Sequence, residues 1–109
     1  MDDLPDAITV KELEAWRQDG RSLALVDVRE PWELEICQIG DSIAIPLQTL
    51  PARLAEIPTD RPVVVLCHHG MRSLQAVGWL RRNGVSAAVN LTGGIDAWAR
   101  EIAPDMEVY

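Results

Sequence analysis

Cysteine is scarce in this 109-residue chain, which carries only Cys37 and Cys67. Two thiols are too few for a disulfide framework, so the fold must rest on a hydrophobic core. Runs of lysine and arginine are also lacking. With 17 acidic against 10 basic residues and a formal net charge of -7, the chain has no phosphate-neutralising footprint, which argues against DNA or RNA as a partner. The acidic total still allows a locally positive pocket that attracts a small anion. No apolar run approaches membrane-spanning length. The opening residues Met1-Asp2-Asp3-Leu4-Pro5-Asp6 lack the basic and apolar regions of a secretory signal. These absences lead to the expectation of a reducing, cytoplasmic setting in which Cys67 is a free thiol and no membrane is a partner. There is no internal repeat or low-complexity segment, and the termini look loose.

What is present is 48% hydrophobic residues in a length that suits one domain, 1–109, with its core over about 6–103. Leu23 to Val28 and Val63 to Leu66 are short, β-branched-rich runs, as expected for central strands buried on both faces. Ile8 to Val10, Ile43 to Ile45 and Ala87 to Leu91 are further strand candidates. Helical signals lie between them. Thr9 with Glu12 forms a capping-box pattern for a helix through about Gln18, terminated by Gly20. Pro31 and Pro51 stand where a first helical turn tolerates proline, ahead of Trp32 to Cys37 and Ala52 to Ile57. Leu74, Val77 and Leu80 stripe a helix from Ser73 to Arg82 that Asn83-Gly84 ends. Ile95, Trp98 and Ile102 align on a last helix, with Pro104 beyond. Strands alternating with helices predict an α/β domain with a mainly parallel sheet and right-handed crossovers.

The chemistry concentrates in Val63-Val64-Val65-Leu66-Cys67-His68-His69-Gly70-Met71-Arg72-Ser73, a buried strand, a short loop and a helix start. Open α/β sheets bind ligands at the carboxyl ends of their strands, where Cys67 falls. A loop entering a helix aims several unpaired N–H groups at one spot, and the helix dipole adds positive charge there. That field favours thiolate over thiol and makes Cys67 a candidate nucleophile. Gly70 permits a backbone conformation closed to residues with a Cβ, letting the loop curl around the sulfur. Arg72, His68 and His69 supply positive charge or donors nearby. Arg72 either orients an anionic donor or locks the loop from beneath through a carboxylate such as Asp27. Asp27 and Arg29, at the end of a predicted strand, serve either pocket electrostatics or an ion pair that fixes the loop, with the ion pair favoured for Asp27.

Cys67-His68-His69-Gly70-Met71-Arg72-Ser73 resembles the active-site loop of single-domain rhodaneses, a Cys-x-x-Gly-x-Arg pattern between strand and helix. Asp27-Val28-Arg29-Glu30 with Trp32-Glu33 is similar to the family's Asp-Val-Arg-Glu segment, and Ile45-Pro46-Leu47 to its Ile-Pro motif. Leu91-Thr92-Gly93-Gly94-Ile95-Asp96-Ala97-Trp98 resembles its Gly-Gly-x-x-x-Trp signature. Where the family usually has His-Ile-Pro-Gly, this chain has Gln38-Ile39-Gly40-Asp41, a departure confined to a structural loop. The resemblance implies a three-layer domain with a five-stranded central sheet flanked by helices. It also implies a sulfurtransferase in which Cys67 takes sulfur from a small anionic donor such as thiosulfate and holds it as a persulfide. Loop N–H groups of residues 68–72 stabilise that persulfide, with Asp27, Arg29 and Ser73 in support. An acceptor thiol, a sulfur-carrier protein or cyanide then takes the sulfur, and no metal or organic cofactor is implied.

Two rivals differ in their sequence marks. Phosphatases sharing this fold place five residues between loop cysteine and arginine, whereas four, His68 to Met71, intervene here. Non-catalytic rhodanese-like modules typically lose the loop cysteine, which this chain keeps. Elsewhere plain structural readings prevail. Cys37 is expected to be a packed thiol without a basic neighbour. Adjacent side chains diverge and no second ligand pair stands at metal spacing, so His68 and His69 are expected to line the pocket mouth or face solvent. Trp16 and Trp98 fall on apolar helix faces. Gly93-Gly94 is a turn before a helix that lacks the rest of a nucleotide-binding pattern.

Overall fold

A computed structural model describes residues 4–109. Five short strands form one sheet: β1 (Ala7–Ile8), β2 (Ala24–Asp27), β3 (Ser42–Ala44), β4 (Val63–Leu66) and β5 (Ala88–Leu91). Their order is β1-β5-β4-β2-β3 and every pairing is parallel. Between them run α1 (Val10–Gln18), α2 (Pro31–Ile36), α3 (Met71–Arg82) and α4 (Gly94–Glu101). No helix among the described residues is long and apolar enough to cross a membrane.

The alternation of side chains along each strand divides the core into two layers. Val63 and Val65 join Val26, Ile45, Leu50, Val77 and Leu80 on the face covered by α3. Val64 and Leu66 join Leu13, Leu25, Val89, Ile95 and Trp98 on the face covered by α1 and α4. Every residue of β2, β4 and β5 is therefore buried, as their unbroken apolar runs require. Thr9 caps α1 as its pattern predicts, accepting from the Glu12 N–H at 3.1 Å while Glu12 accepts from the Thr9 N–H at 3.0 Å.

Several boundaries differ from the sequence expectation for identifiable reasons. Thr9 acts as a cap, so β1 stops at Ile8 and Val10 is already helical. Gly70 caps α3, so that helix starts at Met71 rather than Ser73. The helix expected over Ala52 to Ile57 is a 3-10 segment, Pro51–Glu56, broken at Arg53 (φ -115°, ψ 15°) and preceded by another at Leu47–Thr49. Pro58 holds Ile57 in an extended conformation (φ -92°, ψ 125°), which ends the segment there. The expected looseness of the C-terminal end is overturned: Ala103, Met106 and Tyr109 pack against the α1/α4 core layer. For the N-terminal end, residues 1–3 lie outside the described residues, and Leu4 packs against the same layer.

Candidate active site

The β2–β4 register aligns Asp27 with Leu66, which brings the residues following both strands to one end of the sheet. Cys67 follows β4 directly and is only 1% exposed. Its Sγ accepts from the Gly70 N–H at 3.1 Å and from the Ser73 N–H at 3.4 Å, and lies 3.3 Å from Ser73 Oγ. Gly70 makes this possible with φ +104°, and a Cβ there would stand 3.2 Å from the Gly93 nitrogen. Burial opposes ionisation of Cys67. The Ser73 hydroxyl and the backbone N–H groups of Ser73, Gly70 and Arg72 outweigh it, so the thiol titrates below its ordinary value. Ser73 has a single hydroxyl proton with two acceptors in reach, the Cys67 sulfur at 3.3 Å and Asn90 Oδ1 at 2.5 Å. The backbone N–H groups are then the steadier donors to sulfur. Asn90 Nδ2 donates in turn to the Gly70 carbonyl at 3.1 Å, tying the loop to β5.

The far side of the loop is propped by α4. The Ile95 N–H donates to the Cys67 carbonyl at 2.9 Å and the Asp96 N–H to the His68 carbonyl at 3.1 Å. The approach is close enough that a Cβ on Gly94 (φ +60°) would collide with the Cys67 carbonyl oxygen and stand 2.5 Å from that of His68. The Gly93-Gly94 turn expected from sequence is thus also a buttress for the cysteine loop.

Arg72 is locked, but not by the carboxylate expected. Its guanidinium makes a two-point pair with Glu33 of α2, Nη1 to Oε1 at 2.6 Å and Nη2 to Oε2 at 2.8 Å. Asp27 is already taken by Arg29. Nε donates to Asp27 Oδ1 at 2.9 Å and Nη2 to Oδ2 at 2.7 Å, and both side chains are fully buried. Arg29 spends its remaining donors on the carbonyls of Cys37 (2.8 Å) and Glu33 (3.3 Å) and on the Tyr109 hydroxyl (3.0 Å). Of the two roles open to Asp27, the structure thus has the ion pair, and Arg29 clamps the segment 33–37 rather than facing the pocket. Glu33 also accepts from the Glu30 N–H at 3.0 Å and the Tyr109 hydroxyl at 2.6 Å. Chiefly through the Arg72 pair, these partners overcome burial and hold its carboxyl down at about 2.

The two histidines do not diverge. His68 is sandwiched, its ring stacked on Tyr109 (3.8 Å between centroids, 6° between planes) and against His69 (3.9 Å). Burial first, and His69 second, depress the His68 pKa, so this ring is neutral near pH 7 and adds no fixed charge beside Cys67. The ligand atoms of His68, His69 and Asp96 lie within 4.8 Å of one another, the closest approach to a metal-binding group among the described residues. The Asp96 carboxylate is already paired with Arg100 at 3.0 Å, which an ion would have to displace. Met71 is 72% exposed at the loop's rim.

Cys37 is half-buried and packed, as expected, but it does have a basic neighbour: Arg29 Nη1 is 4.0 Å from its Sγ. Burial nonetheless dominates and pushes this thiol up. Sequence reasoning missed Asn90 and Tyr109 altogether and assigned Glu33 no role of its own. Asn90 is the one polar side chain inside an otherwise apolar strand, which is a usable signal. Glu33 and Tyr109 gave none, because their partners are 39 and 76 residues away in sequence.

A parallel sheet whose central strand delivers a cysteine into a cradle of backbone N–H groups, with an arginine in the first turn of the next helix, defines a loop-cysteine α/β domain. The chain belongs to the rhodanese-like domain family, whose pattern its residues 9–101 match. It is 43% identical over 86 residues to a sulfurtransferase of Allochromatium vinosum, covering 79% of this chain and 80% of that one. It is also 43% identical over 104 residues to the probable adenylyltransferase/sulfurtransferase MoeZ of Mycobacterium tuberculosis, covering 94% of this chain but only 26% of that protein. Among solved structures, a rhodanese-like domain protein from Staphylococcus aureus superposes with a TM-score of 0.83 at 30% identity, covering 96% of this chain and 99% of that one.

Proposed function

We propose that this domain is a sulfurtransferase that carries transferable sulfur as a persulfide on Cys67. The observation that carries the reading is the thiol itself: buried, pointed at by the Gly70 and Ser73 N–H groups, and titrating below its ordinary value. In the first half-reaction the Cys67 thiolate attacks the outer sulfur of a donor such as thiosulfate. A new S–S bond forms, the donor's S–S bond breaks, and sulfite leaves with the bonding pair. The charge that began on Sγ departs with sulfite, and the charge that the donor carried on its outer sulfur stays there as the persulfide anion. Fixed N–H donors suit it as they suit a developing oxyanion, because they need no reorganisation when charge arrives. In the second half-reaction an acceptor thiolate or cyanide attacks that outer sulfur and returns Cys67 to the thiolate. No electrons are exchanged with an outside carrier, so the cycle needs no redox cofactor.

Arg72, oriented by its two-point pair with Glu33 and 36% exposed, offers its remaining guanidinium N–H groups at the rim to an anionic donor. The acceptor in the cell is a thiol or a sulfur-carrier protein, a setting that fits the names of the relatives in which the domain occurs, sulfurtransferase and adenylyltransferase/sulfurtransferase.

The test is mass spectrometry of the whole chain after incubation with thiosulfate. The expected result is one added sulfur, mapped to Cys67 and removed by cyanide. Cys67→Ser is expected to lose thiosulfate:cyanide turnover by at least about 10³-fold, as removal of a covalent nucleophile does. Sulfur found on Cys37 instead, or a turnover of p-nitrophenyl phosphate exceeding that of thiosulfate, would overturn the reading.

A further inference from the structure

The Cys67 loop lies at the carboxyl end of the sheet. At the amino end is a cavity of about 310 Å³, lined by Arg17, Gly20, Arg21, Leu23, Leu25 and Asp41. Leu23 stands just before β2 and Asp41 just before β3, two strands whose register pairs Leu25 with Ser42. None of the six has a part in the proposed sulfur-transfer cycle. The volume is at the lower end of the range of small-molecule sites, about 300–1,000 Å³, and suits a compact metabolite.

Two of the lining residues are cations held in place by aromatic rings. Gly20 (φ +70°) ends α1, and the Arg21 N–H closes back on the Trp16 carbonyl at 3.0 Å. The guanidinium carbon of Arg21 lies 4.0 Å from the centre of the Trp16 ring, and that of Arg17 lies 5.7 Å from the centre of the Trp98 ring. An indole face steadies a guanidinium without using its N–H donors, which radiate in the plane of the group. Among the described residues neither arginine forms an ion pair. Nη1 of Arg17 is shut off from solvent and has no hydrogen-bond partner. A charged donor in that position is costly, and a carboxylate or phosphate is the acceptor whose geometry a guanidinium matches. The third charge is Asp41, the one residue other than glycine with positive φ among the described residues (φ +70°). Glycine takes that conformation most readily, and the family's His-Ile-Pro-Gly pattern ends in glycine at this place. This chain keeps the conformation and adds a carboxylate to the cavity wall, where it pairs with neither arginine.

Arg17, Arg21 and Asp41 give the lining two positive charges and one negative. A plain anion would meet Asp41 as a like charge, whereas a molecule with two negative charges and one ammonium group answers all three side chains. We propose that this cavity binds such a molecule, an acidic amino acid or an aminoalkyl phosphate, with its negative charges on Arg17 and Arg21 and its ammonium on Asp41. The site is separate from Cys67 and stands or falls independently of the sulfur-transfer reading.

The experiment is isothermal titration calorimetry of the full chain at low salt with two pairs of probes. L-glutamate is compared with glutarate, and phosphoethanolamine with ethyl phosphate; the second member of each pair lacks the ammonium. One ammonium-bearing probe is expected to bind once per chain with Kd below about 1 mM, and at least about tenfold tighter than its counterpart. Which pair responds tells a carboxylate ligand from a phosphate one. Arg17→Met and Arg21→Gln, checked for folding by circular dichroism, are each expected to weaken binding about tenfold. Asp41→Gly suits the backbone at this position, so it keeps the fold, and it should bring the two members of the responding pair within about twofold of each other. Three results overturn the proposal: no binding of either ammonium-bearing probe at about 10 mM, a folded arginine variant that binds within about twofold of the parent, or a preference for the ammonium that survives Asp41→Gly.

Discussion

The two cysteines of this chain are chemically the same residue, both withdrawn from solvent and both near an arginine, yet their thiols are driven in opposite directions. Cys37 has a guanidinium nitrogen at 4.0 Å and still titrates above its ordinary value, because burial outweighs one charge that is already committed to Asp27. Cys67 is more deeply buried and titrates below it, because uncommitted N–H groups of a helix start converge on its sulfur. What activates a thiol is therefore direct donation by groups with no other partner, more than proximity to a positive side chain.

The strongest way to break that contrast is to move the Cys67 loop while leaving Cys37 alone. Gly94→Ala adds a Cβ that collides with the Cys67 carbonyl, in a backbone conformation that L-residues adopt at a cost. The expected loss is about 3–4 kcal/mol in denaturant unfolding, combining left-handed strain with overpacking. Slower alkylation of Cys67 at neutral pH should accompany it, with Cys37 unchanged. A stability within about 1 kcal/mol of the parent would mean that the loop is not propped by α4.

Next in size is Glu33→Gln, which removes the charge that fixes Arg72. The expected cost is about 2–3 kcal/mol at neutral pH, below that of a wholly buried pair because Arg72 is partly exposed. The sign with pH follows from the depressed carboxyl. Glu33 binds its proton less readily folded (about 2) than unfolded (4.5), so its contribution is complete above about pH 5 and drains away as pH falls toward about 2. Parent and variant should accordingly differ less in unfolding free energy at pH 3 than at pH 7. A difference that is flat with pH would assign the loss to packing.

The smallest effect sharpens the comparison most. In alkylation-rate profiles against pH, the Cys67 midpoint should lie below that of a free thiol and the Cys37 midpoint above it. Ser73→Ala should move the Cys67 midpoint upward, and leave it below the Cys37 midpoint because the backbone donors remain. A midpoint for Ser73→Ala at or above that of Cys37 would make the hydroxyl, and not the backbone, the source of activation.

The same contrast separates what was legible in the sequence. The Cys67 cradle is built from residues 67–73, so strand, glycine and helix start could be read in one pass, and the alternating apolar runs disclosed the parallel sheet around it. The Gly93-Gly94 turn was legible as a turn, but its contact with residues 67 and 68 was not, because parallel crossovers bring together segments about 25 residues apart. Glu33 as the partner of Arg72 was not legible for a related reason, Asp27 being the carboxylate offered as an example. Asp27 and Glu33 both lie in the segment that faces the loop, and only the prior claim of Arg29 on Asp27 decides between them. Adjacent histidines were expected to splay apart, as neighbours in extended chain do; here Tyr109 gives His68 a flat surface, and His69 closes over its other face.

The buttress formed by Gly94, Ile95 and Asp96 has a consequence for the order of events in the chain's synthesis. Strand β4 and the residues that donate to sulfur emerge well before the segment on which the Cys67 and His68 carbonyls lean. Because synthesis runs from the N-terminus, a nascent chain that has reached Asn90 has its nucleophile but not the support that shapes the loop around it. The loop around Cys67 is thus fully held only once residues 94–96 have been made.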